Sequence, residues 1–318
     1  MEDVYPVLIV TYARPQGPKR LLEISYQSGV RDFYVAIDGP KNVTIVNNQF
    51  AILNEIKGFE IDKKIKINVW QRDRNLGAAV SVVTAIDWFF KNESAGLIFE
   101  DDLIPSLEFF RFAKMGLETY EHNKEIWMIS GSRMNRQIQN KITNDWSFYP
   151  MIWGWATWRS RWNMMKLAFT SDEKVATSFF SARTNFWKVG ALRAKNGVVD
   201  AWDIPLAYFQ WSNSKFSVIP PVNLVTNVGF DSEATHTSGG NYPLNHPIME
   251  LPQSFQFEEF PDISIAHEYD RDLERELFGI KWHHFFLIFY RRFIDQIRTQ
   301  NKKLGSLQER LNSVIIPN

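Results

Sequence analysis

Three consecutive carboxylates, Glu100, Asp101 and Asp102, follow the apolar run at residues 96–99. Adjacent like charges repel one another unless water solvates them, or unless a cation or a set of donors neutralises them. Carboxylate oxygens suit hard divalent cations such as Mn²⁺ and Mg²⁺. The cluster therefore indicates either a solvated turn or a cation site, and its position directly after a buried-looking strand favours the cation site.

Polar side chains also follow the other predicted strands of the first half of the chain. They are Thr11 and Arg14 after the first strand, Asp38 after the second, and Arg72 and Asn75 after the third. Arg14 also fits an exposed loop arginine, and Asp38 also fits an aspartate in a turn beside Gly-Pro. Arginine, with its planar fork and fixed charge, also suits nucleotide binding. Arg14 and Asp38 lie at the ends of adjacent predicted strands, and together they favour a shared binding site.

The elements that position these residues alternate in type. Apolar runs at 4–13, 32–40, 64–73, 95–100 and 125–132 predict strands, and the segments between them predict helices. This alternation predicts an α/β fold with a mostly parallel central sheet flanked by helices. Ligands bind beyond the carboxyl ends of the strands in such sheets.

The second half of the chain is different in character. Residues 134–150 read as a loop, four tryptophans lie within 151–162, and a strand region at 216–230 is interrupted by two prolines. At helical spacing Trp155, Trp158 and Trp162 form one stripe, which fits either packing or binding of flat sugar rings.

Composition excludes several classes of protein. Lys+Arg and Asp+Glu each total 36 in 318 residues, whereas a nucleic-acid-binding protein usually shows a basic excess. Cysteine is absent, which excludes disulfides and thiolate chemistry. No run approaches the roughly 18 apolar residues of a membrane span, and the acidic start does not resemble a signal peptide. We therefore expect a cytoplasmic protein that binds no nucleic acid.

The segment IFEDDLIPSLEFF resembles the DXD-type motif of glycosyltransferases with the GT-A fold. It is most similar to that of N-acetylglucosaminyltransferase I and its bacterial relatives, in which Glu-Asp-Asp-Leu precedes a proline and paired phenylalanines. The likeness continues in order through VLIVTYARP, AIDGP, NLGAAVSVVTAIDWFF, YPMIWGWATWRSRW and a Trp-Asp pair, over most of residues 5–236.

This resemblance implies a Rossmann-like, metal-dependent inverting glycosyltransferase. The donor would be a nucleotide-diphosphate sugar, in particular a UDP-sugar, the cofactor Mn²⁺ or Mg²⁺, and the acceptor a glycan or lipid-linked hydroxyl. Asp102 would hold the metal, with Glu100 and Asp101 facing the donor. Thr11, Arg14, Asp38, Arg72 and Asn75 would contact the donor, and Trp153, Gly154, Trp155 and Trp202 would line the sugar and acceptor pocket.

Inversion requires a carboxylate that takes the proton of the acceptor hydroxyl. The family's base is an aspartate beside a tryptophan, which matches Asp203 best and Asp200 second, although either also fits a helix cap. The resemblance also offers His236 as a metal ligand in a late loop, where the alternative is a histidine without a role.

The chain is expected to form one unit over residues 1–318. It would comprise a nucleotide-sugar-binding half at 1–130, an acceptor half at 131–245 and a C-terminal helical extension at 246–318. An aromatic stripe at 278–293 in that extension indicates core packing, with weak peripheral membrane contact as the alternative.

Two other functions remain open from the sequence. A sugar nucleotidyltransferase would usually carry a glycine-rich loop after the first strand, where TYARPQGPKR has only Gly17. A non-catalytic carbohydrate-binding protein would account for the tryptophans and leave the carboxylates at 100–102 unexplained.

Overall fold

The computed structural model describes residues 4–134, 142–170, 182–229, 246–276, 306–314 and 316–317. The strands in these ranges are β1 (Val7–Thr11), β2 (Phe33–Ile37), β3 (Ile67–Gln71), β4 (Ala95–Glu100), β5 (Leu103–Pro105), β6 (Ile126–Ser130), β7 (Asp145–Ser147), β8 (Trp155–Trp158), β9 (Phe216–Ile219) and β10 (Val225–Asn227). The helices are α1 (Gln16–Gln27), α2 (Val43–Lys63), α3 (Ala78–Asn92), α4 (Leu107–Thr119), α5 (Arg159–Met165), α6 (Leu167–Thr170), α7 (Ala182–Lys195), α8 (Asp203–Ser212), α9 (Ile263–Glu276) and α10 (Leu307–Asn312).

A central sheet has the strand order β3-β2-β1-β4-β8-β6-β9-β7. The first four strands are parallel to one another, and their registers bring Thr11 beside Ile37 and Val10 beside Glu100. β1, β2 and most of β4 are buried, as expected of parallel strands covered by helices on both faces. The predicted α/β fold with a mostly parallel sheet is confirmed, and the carboxyl ends of β1, β2 and β4 lie at one edge.

The tryptophan-rich segment differs from the helical stripe predicted by its spacing. Trp155 to Trp158 form β8, which pairs antiparallel with both β4 and β6, and the helix α5 begins only at Arg159. Trp155 packs into the core on the α3 side of the sheet, while Trp158 packs into the core on the opposite side. Residues three apart face opposite ways in a strand, so both faces of β8 are buried by aromatic rings.

The second half contains further departures from the sequence prediction. The segment read as a loop at 134–150 includes β7, which closes the sheet edge beside β9. β9 and β10 confirm the strand region interrupted by prolines, and β10 pairs antiparallel with β5 in a separate two-stranded sheet. His236 and the aromatic stripe at 278–293 lie outside the described residues.

Candidate functional site

The turn between β4 and β5 carries the carboxylate cluster to the edge of the sheet where β1 and β2 also end. Arg20, in the second turn of α1, donates from Nη2 to the backbone oxygens of Asp101 (3.4 Å) and Leu103 (3.2 Å). These hydrogen bonds hold the backbone on either side of Asp102, so α1 braces the turn that presents this carboxylate.

Asp101 faces β1. Its Oδ2 accepts hydrogen bonds from Thr11 Oγ1 (2.7 Å) and from the Tyr12 amide (3.1 Å). Burial raises the pKa of the Asp101 carboxyl, and these donors together with Arg14 and Arg20 oppose the rise. The hydrogen bonds from Thr11 and Tyr12 to Asp101 therefore join the ends of β1 and β4.

Asp102 faces the segment that follows β10. Burial and the charge of Asp101 raise the pKa of Asp102 to about 6, against the opposing charge of Arg14 and a hydrogen bond from the Asn227 side chain. Gly229 passes so close that a Cβ atom there would overlap the Asp102 carboxylate. The carboxylate is thus partly enclosed at a place where Arg14 supplies positive charge.

Glu100 lies where the strand-end cluster meets the second half of the chain. Burial raises the pKa of Glu100 to about 8, helped by the charges of Asp102, Asp101 and Asp203, and a hydrogen bond from the Trp202 side chain opposes this. Asp203 is the first residue of α8, directly after Trp202. The charge of Asp203 thus acts on Glu100, so the start of α8 lies near the end of β4.

The predicted pocket tryptophans differ in exposure. Trp155 and Trp202 stack on each other, with ring centroids 6.2 Å apart, and both are buried. Trp153 stays partly exposed. Gly154 has a φ of +65°, and a Cβ there would meet Val225 and Phe99, so the backbone packs closely at this point.

Asp38 holds the loop that follows β3. Its Oδ1 accepts from the amides of Gly39 (2.9 Å) and Leu76 (3.0 Å), and its Oδ2 accepts from Asn75 Nδ2 (2.9 Å). Burial raises the pKa of Asp38, while the amide hydrogen bonds and the charge of Arg72 oppose the rise. Asp38 and Asn75 thus lie together at the strand ends and fix the turn at 74–77.

The guanidinium of Arg72 points into α3. It donates to Ser81 O (3.0 Å) and Thr84 Oγ1 (2.8 Å), and it lies 4.0 Å from the centre of the Trp70 ring. Burial lowers the pKa of Arg72 to about 10. Arg72 is therefore buried, as are Thr11 and Asp38 among the predicted donor contacts.

Asp200 caps α3, although it is 122 residues away from the start of that helix. Its Oδ2 accepts from the Ala78 amide (2.8 Å), its Oδ1 accepts from the Ala79 amide (3.3 Å), and Arg310 pairs with it. These contacts satisfy the open amides of a helix N-terminus. Of the two predicted bases, Asp203 adjoins the strand-end carboxylates, whereas Asp200 serves the helix.

Sequence reasoning missed Arg20, Asn227 and Arg310. Their partners lie far along the chain, at separations of 81 residues for Arg20 and Asp101 and 234 for Arg310 and Leu76. No local pattern marks such contacts, since helical and strand periodicity report only on near neighbours.

In the part of the chain that the structure describes, no group of three or more His, Cys, Asp or Glu side chains is arranged to hold a metal ion. In the same ranges, no helix has the length and apolar character required to cross a membrane.

No protein-family model matches the chain, and no curated protein matches it. Among solved structures, it is similar to the inositol-1-phosphate CTP transferase from T. maritima, with a TM-score of 0.37 and 10% identity over 70% of this chain and 88% of that one. It is also similar to a UDP-glucose pyrophosphorylase complexed with UDP-glucose, with a TM-score of 0.34 and 8% identity over 68% of this chain and 90% of that one. A third is HddC from Yersinia pseudotuberculosis, with a TM-score of 0.29 and 12% identity over 49% of this chain and 77% of that one. Similarities this low do not assign the chain to a family.

Proposed function

We propose that this protein is a transferase that binds a nucleotide-diphosphate sugar at the carboxyl ends of β1, β2 and β4 and moves the sugar to an acceptor hydroxyl. The observation that carries the proposal is the position of Glu100, Asp101 and Asp102 at the carboxyl end of β4, where Thr11 at the end of β1 donates to Asp101 and the charge of Asp203 acts on Glu100. Consecutive carboxylates in a sheltered place favour a bound cation or a shared proton. A metal-bound diphosphate donor would account for the cation, and a catalytic base would account for the proton.

Since the described residues offer no group of three acidic or histidine side chains for a metal, we propose that the cation is held by Asp102 together with the diphosphate of the donor. The pKa of Asp102 is raised by burial and by Asp101, so a cation beside this carboxylate would relieve the cost of its negative charge. Asp102 would hold Mn²⁺ or Mg²⁺, and His236 is proposed as a further ligand. When bound, the cation would neutralise charge on the departing diphosphate. Arg14 would add fixed positive charge beside the phosphates.

The nucleoside is proposed to lie against the ends of β1 and β2. Thr11, Asp38 and Asn75 lie at this edge, where their hydrogen bonds fix the strand ends and the turn at 74–77. A pre-formed surface of this kind lowers the entropy cost of binding. We propose that Asp38 acts by shaping this surface as well as by any contact with the uracil or ribose.

Asp203 is proposed as the general base. It would take the proton of the acceptor hydroxyl while that oxygen attacks the anomeric carbon on the face opposite the diphosphate, which inverts the configuration. Glu100 is proposed to lie beside this base and the donor, with the Trp202 side chain as its hydrogen-bond donor.

A sugar nucleotidyltransferase is the second candidate, since the structures compared above include a CTP transferase and a pyrophosphorylase. The same strand-end carboxylates, with a bound cation, would also suit a nucleoside triphosphate and a sugar phosphate. The link between β1 and α1 is short, however, with only residues 12–15 between Thr11 and Gln16. So short a link offers few backbone amides to a triphosphate, which favours the diphosphate-sugar donor.

A non-catalytic carbohydrate-binding protein is less well supported. Its main argument was the tryptophan content, and Trp146, Trp155 and Trp162 are fully buried side chains. Buried rings stabilise the core and present no face to a sugar.

A thermal-shift screen followed by product analysis separates these functions. A UDP-sugar with Mn²⁺ should raise the melting temperature, because ligands that bind the native state stabilise it. Release of UDP from that donor with a glycan or lipid-linked acceptor would support the glycosyltransferase. Release of pyrophosphate from a nucleoside triphosphate and a sugar 1-phosphate would support the nucleotidyltransferase. If no nucleotide shifts the melting temperature, both functions are wrong.

A further inference from the structure

The C-terminal helix α10 lies across the start of α3, next to the turn at 74–77. Arg310 Nη2 donates to the backbone oxygen of Leu76 (2.5 Å) and to Asp200 Oδ1 (3.3 Å). The Arg310 side chain is 16% exposed and that of Asp200 is 26% exposed. This pair is thus largely sheltered from solvent, and hydrogen bonds to charged groups are the stronger class.

The turn fits closely around this pair. Gly77 has a φ of +80°, and a Cβ atom there would overlap Oδ2 of Asp200 and crowd Nη2 of Arg310. Asp200 in turn accepts from the amides of Ala78 and Ala79. Arg310 therefore contacts the turn directly through Leu76 O and indirectly through the carboxylate that caps α3.

α10 is itself an ordered support for Arg310. Ser306 and Glu309 form a capping box, in which the Glu309 amide donates to Ser306 Oγ (3.2 Å) and the Ser306 amide donates to Glu309 Oε2 (2.9 Å). Leu307 is buried in the core cluster that includes α3, and Leu311 packs against the same cluster. The guanidinium is therefore presented by a capped and anchored helix, although that helix has few residues.

On its other side the same turn contacts Asp38. The Leu76 amide donates to Asp38, while the Leu76 backbone oxygen accepts from Arg310. A single peptide segment thus lies between the end of β2 and the C-terminal helix. We propose that Arg310 is a positioning residue, through which α10 holds the turn at 74–77 in the conformation that the nucleotide of the donor requires. The role of the turn in donor binding rests on the proposed function.

The test uses the full-length chain and the variants Arg310→Met and Arg310→Lys. Hydrogen exchange of the amides at 75–79 reports on the turn without any ligand, and calorimetry with UDP and Mn²⁺ reports on binding. We expect Arg310→Met to speed exchange in this segment and to raise the Kd for UDP about tenfold. Arg310→Lys should show smaller changes in both the exchange rate and the Kd, because lysine keeps the charge and lacks the planar fork.

Lys215→Met is the matched control, since Lys215 forms an ion pair with Glu125 at 2.9 Å, away from the turn. It should leave both readouts at wild-type values. If Arg310→Met does not fold, Asp200→Asn serves as the second variant, because it weakens the same pair and keeps the side-chain shape.

Four outcomes are decisive. Unchanged exchange at 75–79 would overturn the proposal, and so would faster exchange with an unchanged Kd for UDP. Faster exchange together with a raised Kd would support it. Wild-type protein that binds no UDP would instead overturn the proposed function, and exchange at 75–79 would still decide whether Arg310 holds the turn.

Discussion

Trp155 stacks on Trp202, with ring centroids 6.2 Å apart and ring planes at 25° to each other. Trp155 belongs to β8 and pairs with Ile98, two residues before Glu100. Trp202 directly precedes Asp203 and hydrogen-bonds to Glu100. The stack therefore anchors the start of α8 to the sheet, at the place where the strand-end carboxylates lie.

Replacing Trp202 by phenylalanine tests this anchor. Trp202→Phe keeps an aromatic ring in the stack and removes the indole donor to Glu100. We expect the free energy of unfolding to fall by about 1–3 kcal/mol and turnover to fall with it, because Glu100 and the start of α8 lose a shared contact. Chemical denaturation and a transfer assay measure the two effects.

Trp162→Phe provides the control for this experiment. Trp162 is also buried, and its indole donates to Asp87 Oδ1 at 2.9 Å in contact with α3 rather than at the strand ends. The Trp162→Phe variant should show a comparable fall in the free energy of unfolding and should keep its turnover per folded molecule. Equal losses of turnover in the two variants would contradict a specific role for Trp202.

Asp203 and Asp200 should respond differently to the same change. Asp203→Asn removes the proposed base, so turnover should fall about 10²–10⁴-fold with little change in donor affinity. Asp200→Asn weakens the cap of α3, so we expect weaker donor binding and a smaller effect on turnover of the bound donor. Steady-state kinetics with a responsive acceptor, together with donor binding, separates the two.

The stereochemistry of the product is a further check on the base. The account predicts that the anomeric configuration is inverted, which NMR of the first product shows directly. Full activity of Asp203→Asn, or a product that keeps the configuration of the donor, would overturn the assignment of Asp203.

Asp38 should matter for both stability and binding. Asp38→Asn replaces a buried oxygen that accepts from protein amides with an NH₂ group that cannot accept. We expect the free energy of unfolding to fall by about 1–3 kcal/mol and UDP binding to weaken, because the turn at 74–77 loses its fixed conformation. Asp73→Asn is the control, since Asp73 is exposed in the same loop. Wild-type binding by Asp38→Asn would contradict the role of Asp38 in shaping the site.

Local patterns in the sequence predicted the parallel half of the fold and the sheet edge at which the candidate site lies. Glu100, Asp38 and Thr11 each end an apolar strand, and parallel pairing of β1 with β2 and β4 brings those ends together.

The remaining features depend on contacts between distant residues. The spacing of Trp155 and Trp158 suits one face of a helix, but pairing with β4 and β6 makes this segment a strand. Asp200 was a second candidate base or a helix cap, and it caps α3, which begins 122 residues earlier in the chain. Arg310 has no local signal at all, because its partners come from other parts of the chain.

The central claim is that Asp102 holds a cation that binds the diphosphate of a nucleotide sugar. Isothermal titration of UDP into the wild-type protein and into Asp102→Asn, with Mn²⁺ and after chelation of all metal, tests it most directly. Asp272→Asn, which alters an exposed ion pair on α9, serves as the control. The account predicts that wild-type binding requires Mn²⁺ and that Asp102→Asn lowers the affinity at least about a hundredfold, while Asp272→Asn has no effect. Equal Mn²⁺-dependent affinity of Asp102→Asn and the wild-type protein would contradict it.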